Sequence, residues 1–202
     1  MKKLAIMALA CTLMASCSKS EAPVLFPKED FQPTVDGKDV SLYTLKNGDI
    51  TMQVTNFGAR VVALWTPDRD GKFDDIVLGY NNIDSYVNNK CERFLGAVVG
   101  PYANRIANGT YTIGNEVYNF PQNNNGQTLH GGLKGLDMVV WDVQEVTDDK
   151  IVLHYLRPDG QDGMPGNLDI IMTYTLTPEN EFKVDYVATT DKATHVNISH
   201  HS

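Results

Sequence analysis

The chain has 202 residues, 42% of them hydrophobic, and a formal net charge of −8. With 25 Asp and Glu against 17 Lys and Arg, the balance excludes nucleic acid or an anionic lipid surface as an electrostatic partner, since both select clustered basic side chains. The length allows one sizeable core and falls short of two full domains.

At the N-terminus, Lys2 and Lys3 precede an apolar run from Leu4 to Ala10, which continues through Leu13 and Met14 to the small residues Ala15 and Ser16. This is the layout of a secretory signal over residues 1–16, too short for a helix that spans a bilayer. Met14-Ala-Ser-Cys17 resembles the lipobox of bacterial lipoproteins, whose cysteine carries the lipid. The expectation is an exported protein anchored in the cell envelope, at the outer membrane, through Cys17. Residues 17–38, with Pro23, Pro27 and Pro33, read as a flexible tether, and residues 39–202 as one folded domain. Cys91 then remains alone, so no internal disulfide forms, and it reads as a partly buried bystander.

From residue 50 onward the apolar period is that of strands. Ile50, Met52 and Val54 alternate with polar residues, as do Ile170, Met172, Tyr174 and Leu176, and again Phe182, Val184, Tyr186 and Ala188. Turn chemistry separates the runs at Asn56-Phe-Gly58, Asp70-Gly71, Gly114-Asn115, Asp148-Asp149 and Pro178 to Asn180. No stretch carries a sustained helical stripe with caps. Short strands joined by turns predict an all-β fold, a large antiparallel β-sandwich. The segments Tyr80 to Glu92, Asn119 to Val139 and Arg157 to Asn167 are long for hairpin loops, and such loops on a rigid framework tend to carry function.

Phosphate-loop and dinucleotide fingerprints, a Gly-x-Ser-x-Gly elbow and Cys-x-x-Cys pairs are absent from the sequence. His200 and His201 are adjacent and point to opposite faces of a strand, while His130 and His154 lack ligand-spaced companions, so no metal site is expected. What remains suits a neutral, hydroxyl-rich ligand: Asn104 and the donor fork of Arg105, with His130 able to donate or accept. Trp65 and Trp141 read as core. On residue type alone each polar residue also has a plainer role: Asn104 as a turn cap, Arg105 as a surface ion-pair partner, His130 as a hydrogen-bonded loop residue.

Read in order, Asn56-Phe-Gly-Ala59, Asp75-Ile-Val-Leu-Gly-Tyr80, Gly96-Ala-Val-Val-Gly100, Tyr102-Ala-Asn-Arg-Ile106, Leu129-His-Gly-Gly132, Val140-Trp141, Gly163-Met-Pro-Gly-Asn-Leu168 and Val196-Asn-Ile-Ser-His-His-Ser202 resemble the aldose 1-epimerases, or galactose mutarotases, from about Tyr43 to the last residue. The resemblance implies a large antiparallel sandwich. It also implies interconversion of the α and β anomers of free aldohexoses such as glucose and galactose, with no cofactor. It implies that Asn104, Arg105 and His130 bind the sugar, with His130 also an electrostatic partner in catalysis, and that His201 is the general acid. His200 stands at the family's Asn position, His195 where proline is usual and Pro101 where arginine is common. The family's sugar-contacting aspartate and its glutamate base lie downstream of the His-Ser segment. The catalytic base is therefore expected to be absent from this chain, as in the front part of a longer protein. A non-catalytic sugar-binding lipoprotein, or an inactive fragment, is the alternative, and a downstream carboxylate separates the readings. Asp137, Asp162 and Glu145 are the acidic residues nearest the motifs in sequence.

Overall fold

The structure is a computed structural model that describes residues 22–88 and 91–202. The signal expected over residues 1–16 and the anchor at Cys17 lie outside the described residues. In chain order the elements are β1 (Thr34–Val35), β2 (Lys38–Asp39), β3 (Leu42–Asn47), β4 (Ile50–Thr55), β5 (Arg60–Pro67), β6 (Phe73–Asp75), α1 (Ile83–Val87), β7 (Val98–Val99), β8 (Arg105–Ile106), β9 (Thr110–Ile113), β10 (Glu116–Asn119), β11 (Thr128–Leu129), β12 (Asp142–Val146), β13 (Lys150–Arg157), β14 (Leu168–Leu176), β15 (Phe182–Thr190) and β16 (Ser199–His200). Two antiparallel four-stranded meanders, β3-β4-β5-β6 and β12-β13-β14-β15, form the framework. Small antiparallel pairs, β8 with β11 and β7 with β16, carry the long connections.

The meanders share one core. Leu45, Met52, Val54 and Val61 from the first pack in the same cluster as Ile151, Leu153, Ile170, Met172 and Tyr174 from the second. Strand β14 alternates buried with more exposed residues as its sequence requires, each inward apolar side chain contributing about 1.5–3 kcal/mol by leaving water. Trp141 is fully buried and satisfies its indole N–H on the Leu136 carbonyl at 3.1 Å. Tyr174 crosses the core to donate its hydroxyl to the Ala59 carbonyl at 2.7 Å.

Five expectations change. Strand β4 is buried along its whole length, so Thr51, Gln53 and Thr55 face cover and not solvent. The cover comes from the expected tether: Phe31 is fully buried, and Gln53 accepts from the Phe26 N–H and donates to its carbonyl at 2.9 and 3.1 Å. From Phe26 on, the segment is therefore docked, because two phenylalanines outweigh what three prolines suggest. Helix α1 joins this second layer with Ile83 and Tyr86, its start capped by Asn82, whose Oδ1 accepts from the Ser85 N–H. A five-residue helix is too short to leave a periodic stripe. Finally, Cys91 is exposed rather than partly buried, and Ala188 on the edge strand β15 is exposed as well.

Candidate functional site

One corner of the site grows from the two-residue ladder of β8 and β11, in which Leu129 pairs with Arg105. Just beyond it both segments turn left-handed, Asn104 at φ 63° and His130 at φ 53°, a conformation that non-glycine residues hold only when their surroundings fix it. Here the His130 N–H donates to the Asn104 carbonyl at 3.0 Å, and the Asn104 N–H donates to His130 Nδ1 at 3.0 Å. A nitrogen that accepts carries no proton, so the neutral ring bears its hydrogen on Nε2. Gly131 follows at φ 90°, and a Cβ there would lie 1.9 Å from the Gly100 carbonyl oxygen. Only glycine lets the histidine loop approach the Gly100-Pro-Tyr-Ala segment so closely.

The other side comes from the last residues. Asn197 donates its N–H to the Pro101 carbonyl, and Ala103 donates to Asn197, both at 2.7 Å, which ties this segment to the corner. Strand β16 pairs with β7, and one residue further the His201 N–H reaches the Ala97 carbonyl at 2.9 Å while Gly96 donates to the His201 carbonyl at 3.1 Å. The His201 ring then stands 5.2 Å from that of His130, edge to face, and is exposed. Asn104, His130, Asn197, Ser199 and His201 line a cleft of about 380 Å³. Arg105 lies beside it, its Nε and Nη2 donating to Asn124 Oδ1 at 3.2 and 3.0 Å.

Burial, then the charges of His201, Arg105 and Arg93, push the His130 imidazole down to about 4. Its Nδ1 hydrogen bond agrees, since an imidazolium has no acceptor to offer the Asn104 N–H. His200 turns the opposite way along the strand, into rings of Tyr174 and Phe182 at 5.4 and 5.7 Å, and burial lowers it to about 4 as well. His154 sits elsewhere, 2.8 Å from Asp169. Among the described residues no three His, Cys, Asp or Glu side chains gather as metal ligands.

The three acidic residues near the motifs all have other partners. Asp162 accepts from the Leu133 and Lys134 N–H groups, and Glu145 pairs with Lys150 at 2.8 Å. Asp137 is fully buried and takes a two-pronged contact from Arg93, Nε to Oδ2 at 2.6 Å and Nη2 to Oδ1 at 3.0 Å, with the buried Arg60 guanidinium 3.8 Å away. Burial lifts its carboxyl above the usual range, against the pull of Arg93 and Arg60. No motif marked this cluster, nor Phe94, whose ring touches both site imidazoles. Arg93 and Phe94 lie outside any periodic run, and their only signal is that they immediately precede the Gly96 segment.

An antiparallel sandwich that brings an imidazole N–H, an exposed imidazole and amides around an open cleft, with a guanidinium beside it, has the groups to hold a small polar molecule and to pass a proton. The family model described as Aldose 1-epimerase matches residues 41–202, and the chain belongs to that family. Galactose mutarotase of Mus musculus is 37% identical over 166 residues, covering 82% of this chain and 47% of that protein. Aldose 1-epimerase of Escherichia coli K12 is 33% identical over 183 residues, covering 90% and 50%. Among solved structures, the aldose epimerase homologue from C. elegans superposes with a TM-score of 0.75 at 30% identity, covering 80% of this chain and 49% of that one. Galactose 1-epimerase from Lactobacillus acidophilus gives 0.73 at 32%, covering 85% and 50%. The chain spans about half the length of the curated relatives it matches.

Proposed function

We propose that the protein interconverts the α and β anomers of free aldohexoses, glucose or galactose, by opening and reclosing the hemiacetal ring, with no cofactor. His201 acts as the general acid: it protonates the ring oxygen as the C1–O5 bond breaks, and takes the proton back on reclosure. His130, held neutral, donates its Nε2–H to the sugar, and Asn104 and Arg105 bind hydroxyls. Between opening and closing, rotation about C1–C2 exchanges the faces of the carbonyl. The proton of the C1 hydroxyl goes to a carboxylate. Asp137, Asp162 and Glu145 are held by other partners and are not assigned to it.

The observation that carries this reading is convergence. Segments around residues 104, 130 and 201, far apart in sequence, meet at one cleft with two imidazoles 5.2 Å apart. Polarimetry on freshly dissolved α-glucose and α-galactose tests it with the full-length protein. His201→Gln is expected to slow anomer exchange by about 10²–10⁴-fold while calorimetric sugar binding persists. An undiminished rate overturns the assignment of the acid, and binding without turnover in the unaltered protein favours a non-catalytic sugar-binding protein. We propose further that the protein is exported by residues 1–16 and anchored by lipid on Cys17 in the cell envelope, at the outer membrane, a reading supported by the apolar run before Met14-Ala-Ser-Cys17. Metabolic labelling with palmitate should mark the parent and not Cys17→Ser.

A further inference from the structure

Phe94 sits where the two halves of the site meet. Its ring lies 4.6 Å from the His130 ring, edge to face, and 5.9 Å from the His201 ring. It packs in a small buried cluster with Leu129 and with Val99 and Ala103, which line the cleft. Its carbonyl accepts from the Ala97 N–H at 3.0 Å, closing the turn whose Gly96 N–H and Ala97 carbonyl hold the His201 backbone. A shift of Phe94 therefore moves both imidazoles.

The ring is in turn fixed from behind. The Arg93 guanidinium lies 5.0 Å from the Phe94 centroid, a cation over an aromatic face. Both prongs of that guanidinium are taken by Asp137, which has no exposed side-chain surface. Arg60, equally buried, donates to the Asp137 carbonyl at 3.0 Å and to the Leu95 carbonyl at 2.9 Å, next to Phe94 in the chain. A planar fork against a carboxylate holds orientation as well as distance, which an ammonium would not.

We propose that Phe94, clamped by Arg93 and Asp137, is a positioning residue that sets the spacing of the two site imidazoles and excludes water from one face of His130. This rests on the mutarotase reading for its effect on rate and not for its effect on His130. Besides the ring, the charged and titratable groups facing His130 are His201, Arg105, Arg93 and Glu92. Removing the ring admits water to an imidazole that is low because it is dry, so its titration rises.

The experiment follows the histidine ring protons by NMR across pH in the sugar-free full-length protein, and measures kcat and KM for anomer exchange. Phe94→Leu keeps an apolar side chain but removes the ring and leaves room for water beside His130, and Phe94→Tyr keeps the ring. In Phe94→Leu the His130 titration is expected to rise by about one pH unit. Its kcat is expected to fall about tenfold with KM changed less than about twofold, as for a lost transition-state alignment. Phe94→Tyr is expected to restore both. Arg93→Lys, which keeps the charge and loses the fork, is expected to lower kcat in the same direction, and serves if Phe94→Leu does not fold. A folded Phe94→Leu with an unmoved His130 titration and unchanged kcat overturns the proposal, as does a Phe94→Tyr no better than Phe94→Leu. Because the titration is read without sugar, it judges Phe94 even if His201→Gln shows that the reaction has been misassigned.

Discussion

The rings of His130 and His201 lie 5.2 Å apart and are held in opposite ways. His130 is buried, sits at positive φ, and spends Nδ1 on a backbone N–H, so its tautomer is decided by the main chain. His201 is exposed, and the bonds that place it run from its own backbone to Gly96 and Ala97, leaving its ring outside that scaffold. The difference fits the two tasks proposed for them. A group that must stay neutral and donate one hydrogen bond gains from burial and a fixed acceptor. One that passes a proton back and forth needs access to substrate and freedom to change charge. Backbone strain and buried charge are accordingly concentrated around the first imidazole.

The largest expected effect comes from beneath that first corner. Asp137→Ala leaves Arg60 and Arg93 without their carboxylate in a buried setting, which should cost about 3–5 kcal/mol in denaturant unfolding. His201→Gln at the exposed end should change unfolding by no more than about 0.5 kcal/mol, so equal losses at the two sites would erase the contrast. Next in size, His130→Ala removes the Nε2 donor and strands the Asn104 N–H. Turnover should fall about 10²–10³-fold while the protein stays folded, measured by polarimetry beside a melting curve.

The contrast was only half visible in the sequence. Histidine beside two glycines in Leu129-His-Gly-Gly132, and Asn-Arg after Gly100, announce tight backbone approach, and strand periodicity with turn residues announces the two meanders. The turns at 56–58, 114–115 and 148–149 fall between the strands they were read to separate. What stayed hidden depends on contacts far apart along the chain. Asp137 reaches back 44 residues to Arg93, and Gln53 reaches back 27 to Phe26, and neither separation leaves a local pattern. The docked Phe26–Phe31 segment shows the same limit, since proline content describes a local stiffness and says nothing of the sheet face that two phenylalanines cover. Cys91 is exposed although cysteine is usually buried, an average that one loop position need not follow.

The smallest effect is read in pH. Burial lowers His130, and likewise His200, to about 4, whereas an unfolded imidazole takes up its proton near 6.5. Between those two values the unfolded chain holds more protons than the folded one, so stability should rise with pH across this window and be lost as acidification proceeds from 6.5 toward 4. Asp137 acts with the opposite sign, since its carboxyl is raised, but it is the same in parent and variant, and a difference between the two isolates the histidine. His130→Gln should therefore show a shallower fall in denaturation midpoint between pH 6.5 and 4, with the His200 contribution still present. An identical slope in parent and variant would mean that His130 titrates alike in both states, and the sheltered half of the site would be no more sheltered than the exposed one.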